Sequence, residues 1–172
     1  MDTALDYGYD LNLPEDRAKL NEYFDNYKPY NFIYDDWSCW IIAGPVRNLN
    51  GYIEVSEDFL DWMKNTDEFN TLTIHGGITF EGGKLIIPEM AGLNVIGFDT
   101  AHFMDLLLLD IKPEIIDMYK KAGIQRIQNW DVLNEKKLWL ESDVEAELKK
   151  LAKQLSEIHK KAYPHGTTPK RK

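Results

Sequence analysis

Cysteine, basic charge and long apolar runs are all scarce in this sequence, and each scarcity excludes a class of protein. The single cysteine, Cys39, rules out an intrachain disulfide framework and a zinc site built on cysteines. The longest unbroken aliphatic run, residues 106–109, is far shorter than the ~20 residues that a membrane-spanning helix needs. The first residues carry neither a basic region nor an apolar stretch, so we expect no signal peptide and a cytoplasmic location.

Basic residues are outnumbered by acidic ones, 20 to 29, and the imbalance is uneven along the chain. Residues 1–70 hold 15 acidic and 5 basic side chains, a net charge of −10, whereas residues 132–172 hold 6 and 10. An acidic front half repels phosphate backbones, so nucleic acid is an unfavourable partner. The basic end, residues 164–172, has no large apolar side chain to bury, and we expect it to be disordered.

The length and the hydrophobic pattern together predict one α+β domain over residues 1–163. A chain of 172 residues fits a single domain, because domains average about 150 residues. Short β-type runs separated by glycines fill the middle of the chain, and a stripe of apolar residues at 4-3-4-3 spacing begins at Val144 near its end. We therefore predict a central, mostly antiparallel sheet with a long C-terminal amphipathic helix packed on it.

Local signals place the individual elements. Pro14 in a first turn indicates a helix over 14–27, Ser56 is expected to cap a helix over 57–64, and Ser142 begins a capping box for the last helix. A further helix is predicted over 114–122. The Asn48-Leu49-Asn50-Gly51 segment predicts a turn at 48–51. β-branched and aromatic runs predict strands at 32–34, 37–43, 52–55, 71–75, 78–81, 84–87 and 94–98.

Two segments, residues 75–82 and 97–105, combine glycines with titratable side chains. If Asp99 opens a helical turn, then Asp99, His102 and Asp105 project to one side, and His75 can meet them from a neighbouring strand. Imidazole titrates near neutral pH and a carboxylate fixes its tautomer, so the set suits acid–base catalysis with His102 as the base. His75, Asp99 and His102 also suit a divalent metal such as zinc, manganese or iron.

A purely structural interpretation of the same residues is equally open. Asp99 can cap a helix by accepting the backbone N–H of His102, while both histidines make ordinary hydrogen bonds in the core. The glycine pairs at 76–77 and 82–83 can be hairpin turns or bulges. Each of these features, taken alone, favours a purely structural role. Only their occurrence together favours a functional site.

Four residues outside the histidine and aspartate set are candidate ligand contacts. The adjacent amides of Gly76 and Gly77 can form an anion-binding nest, and Thr79 follows them. Arg47 can grip a phosphate or carboxylate bidentately, or it can pair with one of the many acids of this chain. Cys39, in contrast, lies in an apolar run without a basic neighbour, which predicts a buried and unreactive thiol.

Four strings of the sequence resemble a group of small proteins encoded by bacteriophages and by phage-like regions of bacterial genomes. They are NGYIEV at 50–55, HGGITF at 75–80, GFDTAHFMD at 97–105 and the helical stretch 144–155. The resemblance covers about residues 44–158 and corresponds to HGG-[IL]-T-[FY] and GFDxAH motifs. It implies a phage or prophage setting and marks His75, Asp99, His102 and Asp105 as positions of interest, but it implies no reaction.

These observations lead to two hypotheses of different classes. In the first, the histidines and aspartates line a pocket for a small polar ligand, such as a nucleotide or a phosphorylated metabolite, with acid–base or metal-assisted hydrolysis as the chemistry. In the second, a non-catalytic anti-defence protein sequesters a nucleotide signal or blocks a basic host surface with acidic residues 1–70. Neither hypothesis involves a membrane, and both are compatible with a homo-oligomer.

Overall fold

The computed structural model describes residues 2–83, 87–102, 104–106, 117–118, 120–123 and 129–164. The chain divides into two compact units, each assembled from separate stretches of sequence. The N-terminal unit comprises Met1–Lys28, Ala43–Asn48 and Ala101–Trp139, and the sheet unit comprises Pro29–Ile42, Leu49–Thr100 and Leu140–Lys172. The expectation of one domain over 1–163 stays a prediction, and residues 165–172 lie outside the described residues.

The described chain contains five strands in one sheet, with the order β1-β2-β3-β5-β4. They are β1 (Tyr30–Tyr34), β2 (Trp37–Ala43), β3 (Leu49–Glu54), β4 (Phe80–Gly82) and β5 (Val95–Phe98). β1 pairs antiparallel with β2, and β5 pairs antiparallel with both β3 and β4. The α-helices with bounds among the described residues are α1 (Pro14–Asp25), α2 (Glu57–Asn65), α3 (Trp130–Leu133) and α4 (Glu141–Ala162), and 3₁₀ helices lie at Glu68–Thr71 and Pro88–Met90. Residues 117–118 and 120–121 are helical as well. The chain therefore has the predicted α+β fold.

The long helix α4 packs on the sheet through the apolar stripe that the sequence predicts. The buried members of the stripe are Val144, Leu148, Leu151, Leu155 and Ile158. Burying a leucine stabilises a fold by roughly 1.5–3 kcal/mol, so this stripe is a major contribution to the stability of the sheet unit. None of the helices within the described ranges combines the length and apolar character needed to cross a bilayer.

Two glycines of the central strands let aromatic rings lie directly on the backbone. Gly51 pairs with Phe98, and Gly97 pairs with Tyr52, across neighbouring positions of the β3–β5 ladder. A Cβ on Gly51 would lie 2.7 Å from the Phe98 ring, and a Cβ on Gly97 would overlap the Tyr52 ring. Because successive residues of a strand face opposite sides, one ring covers each face of the sheet.

The β1–β2 hairpin turns through two aspartates with left-handed backbone. Asp35 and Asp36 have φ angles of 50° and 66°, as a two-residue type I′ turn requires. Ser156 of α4 donates a hydrogen bond to the carboxylate of Asp35 and accepts one of 2.9 Å from the indole N–H of buried Trp37. The helix therefore anchors the turn through Asp35, whereas Asp36 makes no hydrogen bond to the helix within the described part of the chain.

Hydrogen bonds from side chains to the backbone join separate segments of the N-terminal unit. Arg17 of α1 donates to the carbonyl of Leu11 at 2.7 Å, and its guanidinium lies 4.3 Å from the centre of the Trp130 ring. Asn134, which follows α3, accepts the N–H of Leu11 at 2.9 Å. α1 begins at Pro14, as the sequence predicts, and ends two residues before the predicted end.

The helix caps are predicted with mixed success. The Ser56 hydroxyl accepts the N–H of Phe59 at 3.1 Å, which confirms it as the cap of α2. The predicted box at Ser142 is wrong, because α4 begins at Glu141 with Leu140 as its N-cap. Asp143 instead accepts the N–H of Leu140 at 3.0 Å. The helix therefore begins at Glu141, before the start that the sequence indicates.

Two other predicted elements are wrong for identifiable reasons. Residues 71–75 form no strand, because the backbone N–H and C=O of Thr73 bond to the Gln154 side chain of α4 at 2.7 and 2.8 Å. The turn predicted at 48–51 lies earlier, since Gly44 donates to the carbonyl of Asn48 at 2.7 Å and β3 begins at the next residue. Most of the predicted strand 84–87 lies outside the described residues, whereas residues 117–118 and 120–121, within the predicted helix 114–122, are helical.

We expect Asp36→Gly to raise the free energy of unfolding by about 0.5–1 kcal/mol. A left-handed backbone costs an L-residue roughly 1–2 kcal/mol, and the extra entropy of glycine in the unfolded chain offsets part of the gain. Asp35→Gly is the matched control, because it relieves the same strain but loses the bond from Ser156. Urea denaturation in which Asp35→Gly is the more stable variant would contradict the proposed anchoring.

Candidate functional site

Asp105 is a buried carboxylate of the N-terminal unit, with only 2% of the residue exposed. Its Oδ1 accepts the indole N–H of Trp139 at 2.8 Å, and its Oδ2 accepts the backbone N–H of His102 at 2.9 Å. Both partners can only donate, so each oxygen of Asp105 acts as an acceptor and the side chain is held in one orientation. Asp105 is therefore held rigidly beside the residue three positions before it.

Backbone bonds hold the Asp105 segment on both sides. The N–H of Asp105 donates to the carbonyl of His102 at 2.9 Å, which makes the contact between these two residues reciprocal. Lys137 donates its N–H to the carbonyl of Met104 and accepts the N–H of Leu106 at 2.8 Å. The Lys137 ammonium lies 4.7 Å from the centre of the Trp139 ring, over the indole that binds Asp105. The segment is thus anchored by chain that lies more than thirty positions away in sequence.

The helical turn predicted from Asp99 is wrong. The described residues between 99 and 105 are not helical, and the acid that accepts the His102 N–H is Asp105, although the structural interpretation gave that role to Asp99. The predicted one-sided projection at helical spacing is therefore absent. The local closeness of His102 and Asp105 arises instead from a turn closed by their reciprocal hydrogen bonds.

His75 lies in the sheet unit, at a turn that α4 supports. Its backbone N–H donates to Oε1 of Glu147 at 3.1 Å, next to the pair of bonds between Thr73 and Gln154. The side chain of His75 is half-buried. The polar side of α4 therefore sets the position of the HGG motif, although nothing in the sequence around His75 indicates this support.

The glycines after His75 shape the turn, and only in part match an anion nest. Gly76 and Gly77 have φ angles of 68° and 80°, which only glycine adopts without strain. The N–H of Gly77 donates to the carbonyl of Ile74 at 2.9 Å, so this amide already has an acceptor. The N–H of Thr79 donates to the carbonyl of Gly97 at 2.9 Å and joins the segment to β5. Their role as ligand contacts stays a prediction.

Asp99 follows β5 and is half-buried in the sheet unit. Burial raises the pKa of the Tyr52 phenol, a hydrogen bond with Asn50 opposes the shift, and the negative charge of Asp99 raises the pKa further. Next to it, the hydroxyl of Thr100 donates to the carbonyl of Leu49 at 2.8 Å. Asp99 therefore acts electrostatically on the face of the sheet that carries Tyr52.

Arg47 forms the ion pair that the sequence offers as the alternative to ligand binding. Its Nε and Nη2 donate to the two carboxylate oxygens of Asp25 at 3.0 and 2.9 Å, within the N-terminal unit. The Arg47 side chain is 11% exposed, and its φ of 55° is left-handed. This bidentate pair occupies the Nε–Nη2 edge of the guanidinium, an edge with which Arg47 would bind an anion.

The sequence-predicted residues thus fall into two groups. His102 and Asp105 are joined within the N-terminal unit, while His75 and Asp99 are placed within the sheet unit. A convergence of all four stays a prediction. Sequence reasoning missed Trp139, because an indole that donates to an acid 34 positions away leaves no local pattern.

Comparison with known proteins adds no functional assignment. No protein-family model matches the chain, and no curated protein or solved structure matches it either.

We expect Trp139→Phe to lower the free energy of unfolding by about 1–3 kcal/mol, the usual cost of leaving a buried acceptor without its donor. Trp62→Phe is the matched control, because no hydrogen bond of its indole is found among the described residues. Urea denaturation is the measurement. A loss for Trp139→Phe no larger than that of the control would mean that the bond to Asp105 contributes little.

The thiol of Cys39 should resist alkylation in the folded protein. Burial raises its pKa from 9.0 to about 12, Glu145 adds to the shift, and Lys149 opposes it. Because the raised pKa belongs to the folded state, this group favours folding below pH 9 and loses that contribution as the pH rises towards 12. We expect iodoacetamide to label Cys39 at pH 8 only after unfolding in urea.

An exposed thiol provides the control for this labelling. In a Cys39→Ser background, Asn70→Cys places a thiol at an exposed position of the same unit. This variant should react at the rate of a free thiol without urea. Equal labelling rates for the folded wild-type protein and this variant would contradict the burial of Cys39.

Proposed function

We propose that this protein binds a small polar ligand at a site centred on His102 and Asp105, either through a divalent metal or with His102 as a general base. The observation that carries the proposal is the buried Asp105 carboxylate, which Trp139 and the His102 backbone hold in one orientation. A carboxylate held in this way loses little freedom when it binds a metal or orients an imidazole.

His102 and Asp105 carry side-chain atoms of the kind that a divalent metal binds. Oxygen from a carboxylate and nitrogen from imidazole are donors that zinc, manganese and iron accept. His102 and Asp105 therefore supply two suitable metal ligands within one short turn.

The proposal adds His75 and Asp99 as further ligands or proton donors. Two protein donors are too few for a lasting metal site, since catalytic zinc has three protein ligands. His75 suits this role because its backbone is already fixed by Glu147 and by the glycine turn after it. The titration of His75→Ala below tests whether His75 contributes to metal binding.

The positive charges near the site indicate the class of ligand that we propose. Because Arg47 is paired with Asp25, a bound metal would add to the positive charge of Lys137 near Asp105 in attracting a phosphate. A nucleotide or phosphorylated metabolite bound through a metal is therefore the ligand class we propose, with hydrolysis by a metal-bound water or by His102 as the possible chemistry. His102 would take the proton of the attacking water in the second case.

Metal titration of four histidine and aspartate variants tests this proposal. We expect the wild-type protein to bind one Zn²⁺ or Mn²⁺ by isothermal titration calorimetry, and His102→Ala, Asp105→Asn and His75→Ala each to weaken binding by about 10–100-fold or more. His165→Ala is the matched control, because it removes a histidine that the proposal does not use. Thermal unfolding of each variant checks that the fold is retained.

Each variant answers a separate question. Unchanged affinity in His75→Ala would remove His75 from the site, and unchanged affinity in both His102→Ala and Asp105→Asn would overturn the metal proposal. If no metal binds, a thermal-shift screen of nucleotides tests the acid–base version. Absence of every shift would favour the anti-defence hypothesis, in which acidic residues 1–70 contact a basic partner.

A further inference from the structure

The edge strand β1 carries an unusual concentration of exposed apolar surface. Within the described part of the sheet unit, the two large apolar side chains that remain exposed are Tyr30 at 36% and Ile33 at 54%, and both lie on β1. Tyr30 also stacks on Phe32 of the same strand, with ring centres 5.4 Å apart. The strand contains no charged residue, although charges are the usual means of protecting a sheet edge from pairing.

The β1–β2 register shows which backbone groups of β1 face outward. Tyr34 pairs with Trp37 across the two-residue turn, so these two residues exchange both of their backbone hydrogen bonds. In an antiparallel ladder every second residue does the same, so the backbone groups of Phe32 and Tyr30 also point towards β2. The amides and carbonyls of Asn31 and Ile33 therefore point away from β2. Both residues are exposed, which makes these groups accessible to another strand.

We propose that β1 is the docking surface for a second copy of this chain. The two β1 strands would pair antiparallel about a two-fold axis at Phe32 and extend the sheet from one copy into the other. Asn31 of each copy would exchange hydrogen bonds with Ile33 of the other, giving about four backbone bonds in all. Phe32 would face Phe32 of the second copy, and Tyr30 would face its Tyr34.

A second copy fits this edge because the strand is complementary to itself. The aromatic residues alternate symmetrically around Phe32, so the two-fold axis brings ring against ring without any unpaired charge. Lys28 precedes β1 and Asp36 follows it, so antiparallel pairing puts the basic end of one strand near the acidic end of the other. Pro29 has no N–H and ends the ladder at the strand boundary.

The proposed dimer interface is small, so we expect the two copies to bind each other weakly. Pairing of two five-residue strands falls in the class of interfaces below about 1,200 Å², which are typically weak. We therefore expect a monomer–dimer equilibrium that depends on concentration. Sedimentation velocity from about 10 to 500 µM should show a sedimentation coefficient that rises towards that of a dimer.

Ile33→Pro is the decisive variant, because it removes an outward N–H without touching the ladder to β2. Proline is tolerated at such edge positions, and the fold should survive. We expect Ile33→Pro to remain monomeric at every concentration, while Ile33→Thr, which keeps the N–H and the strand propensity, still dimerises. Val132→Thr is the control for losing an exposed apolar side chain elsewhere, and it should dimerise like the wild-type protein.

If circular dichroism shows that the Ile33→Pro variant is unfolded, Ile33→Lys provides a second test. A lysine on the edge opposes pairing while leaving the backbone unchanged, so this variant should also be monomeric. A wild-type protein that stays monomeric over the whole range overturns the proposal. Dimerisation that survives in a folded Ile33→Pro or Ile33→Lys variant overturns it as well, because the contact would then lie on another surface.

Discussion

The packing of α4 on the sheet is the interaction on which the rest of the sheet unit depends. Its apolar stripe supplies the core, and its polar residues hold segments that have no regular structure of their own. Gln154 and Glu147 bind the backbone of residues 73–75, and Ser156 binds the hairpin turn at Asp35. One helix thereby fixes both the sheet and the loop that carries His75, and a loss of its packing would release all of them together.

The buried carboxylate of Asp105 is a second constraint, and it belongs to the N-terminal unit. Burying a carboxyl group without hydrogen-bond partners is costly. The burial of Asp105 is compensated because each of its oxygens accepts a hydrogen bond. Structural carboxylates of this kind and metal-binding carboxylates use the same supports, since both need a fixed orientation. The donors around Asp105 therefore suit both roles, and a ring nitrogen of His102 within 4.8 Å of its carboxylate favours the metal-binding one.

The sequence predicts those parts of this protein that depend on neighbouring residues. The stripe of α4, the Ser56 cap and β5 are predicted because spacing and local propensity determine them. The segment 71–75 has the composition of a strand, but Gln154 takes its backbone groups from about eighty positions away, so local propensity is overridden. For the candidate site, His102 and Asp105 are predicted as a pair, although on a helix that does not form. The support from Trp139 depends on tertiary contact and has no signature in sequence.

The reciprocal fit of two glycines and two aromatic rings in the central strands has a consequence for how this sequence can diverge. The space that Gly51 leaves is filled by Phe98, and the space that Gly97 leaves is filled by Tyr52. A larger residue at either glycine therefore requires a smaller residue at the paired aromatic position, so the two substitutions have to occur together. In an alignment of homologues, positions 51 and 98, and positions 52 and 97, should covary.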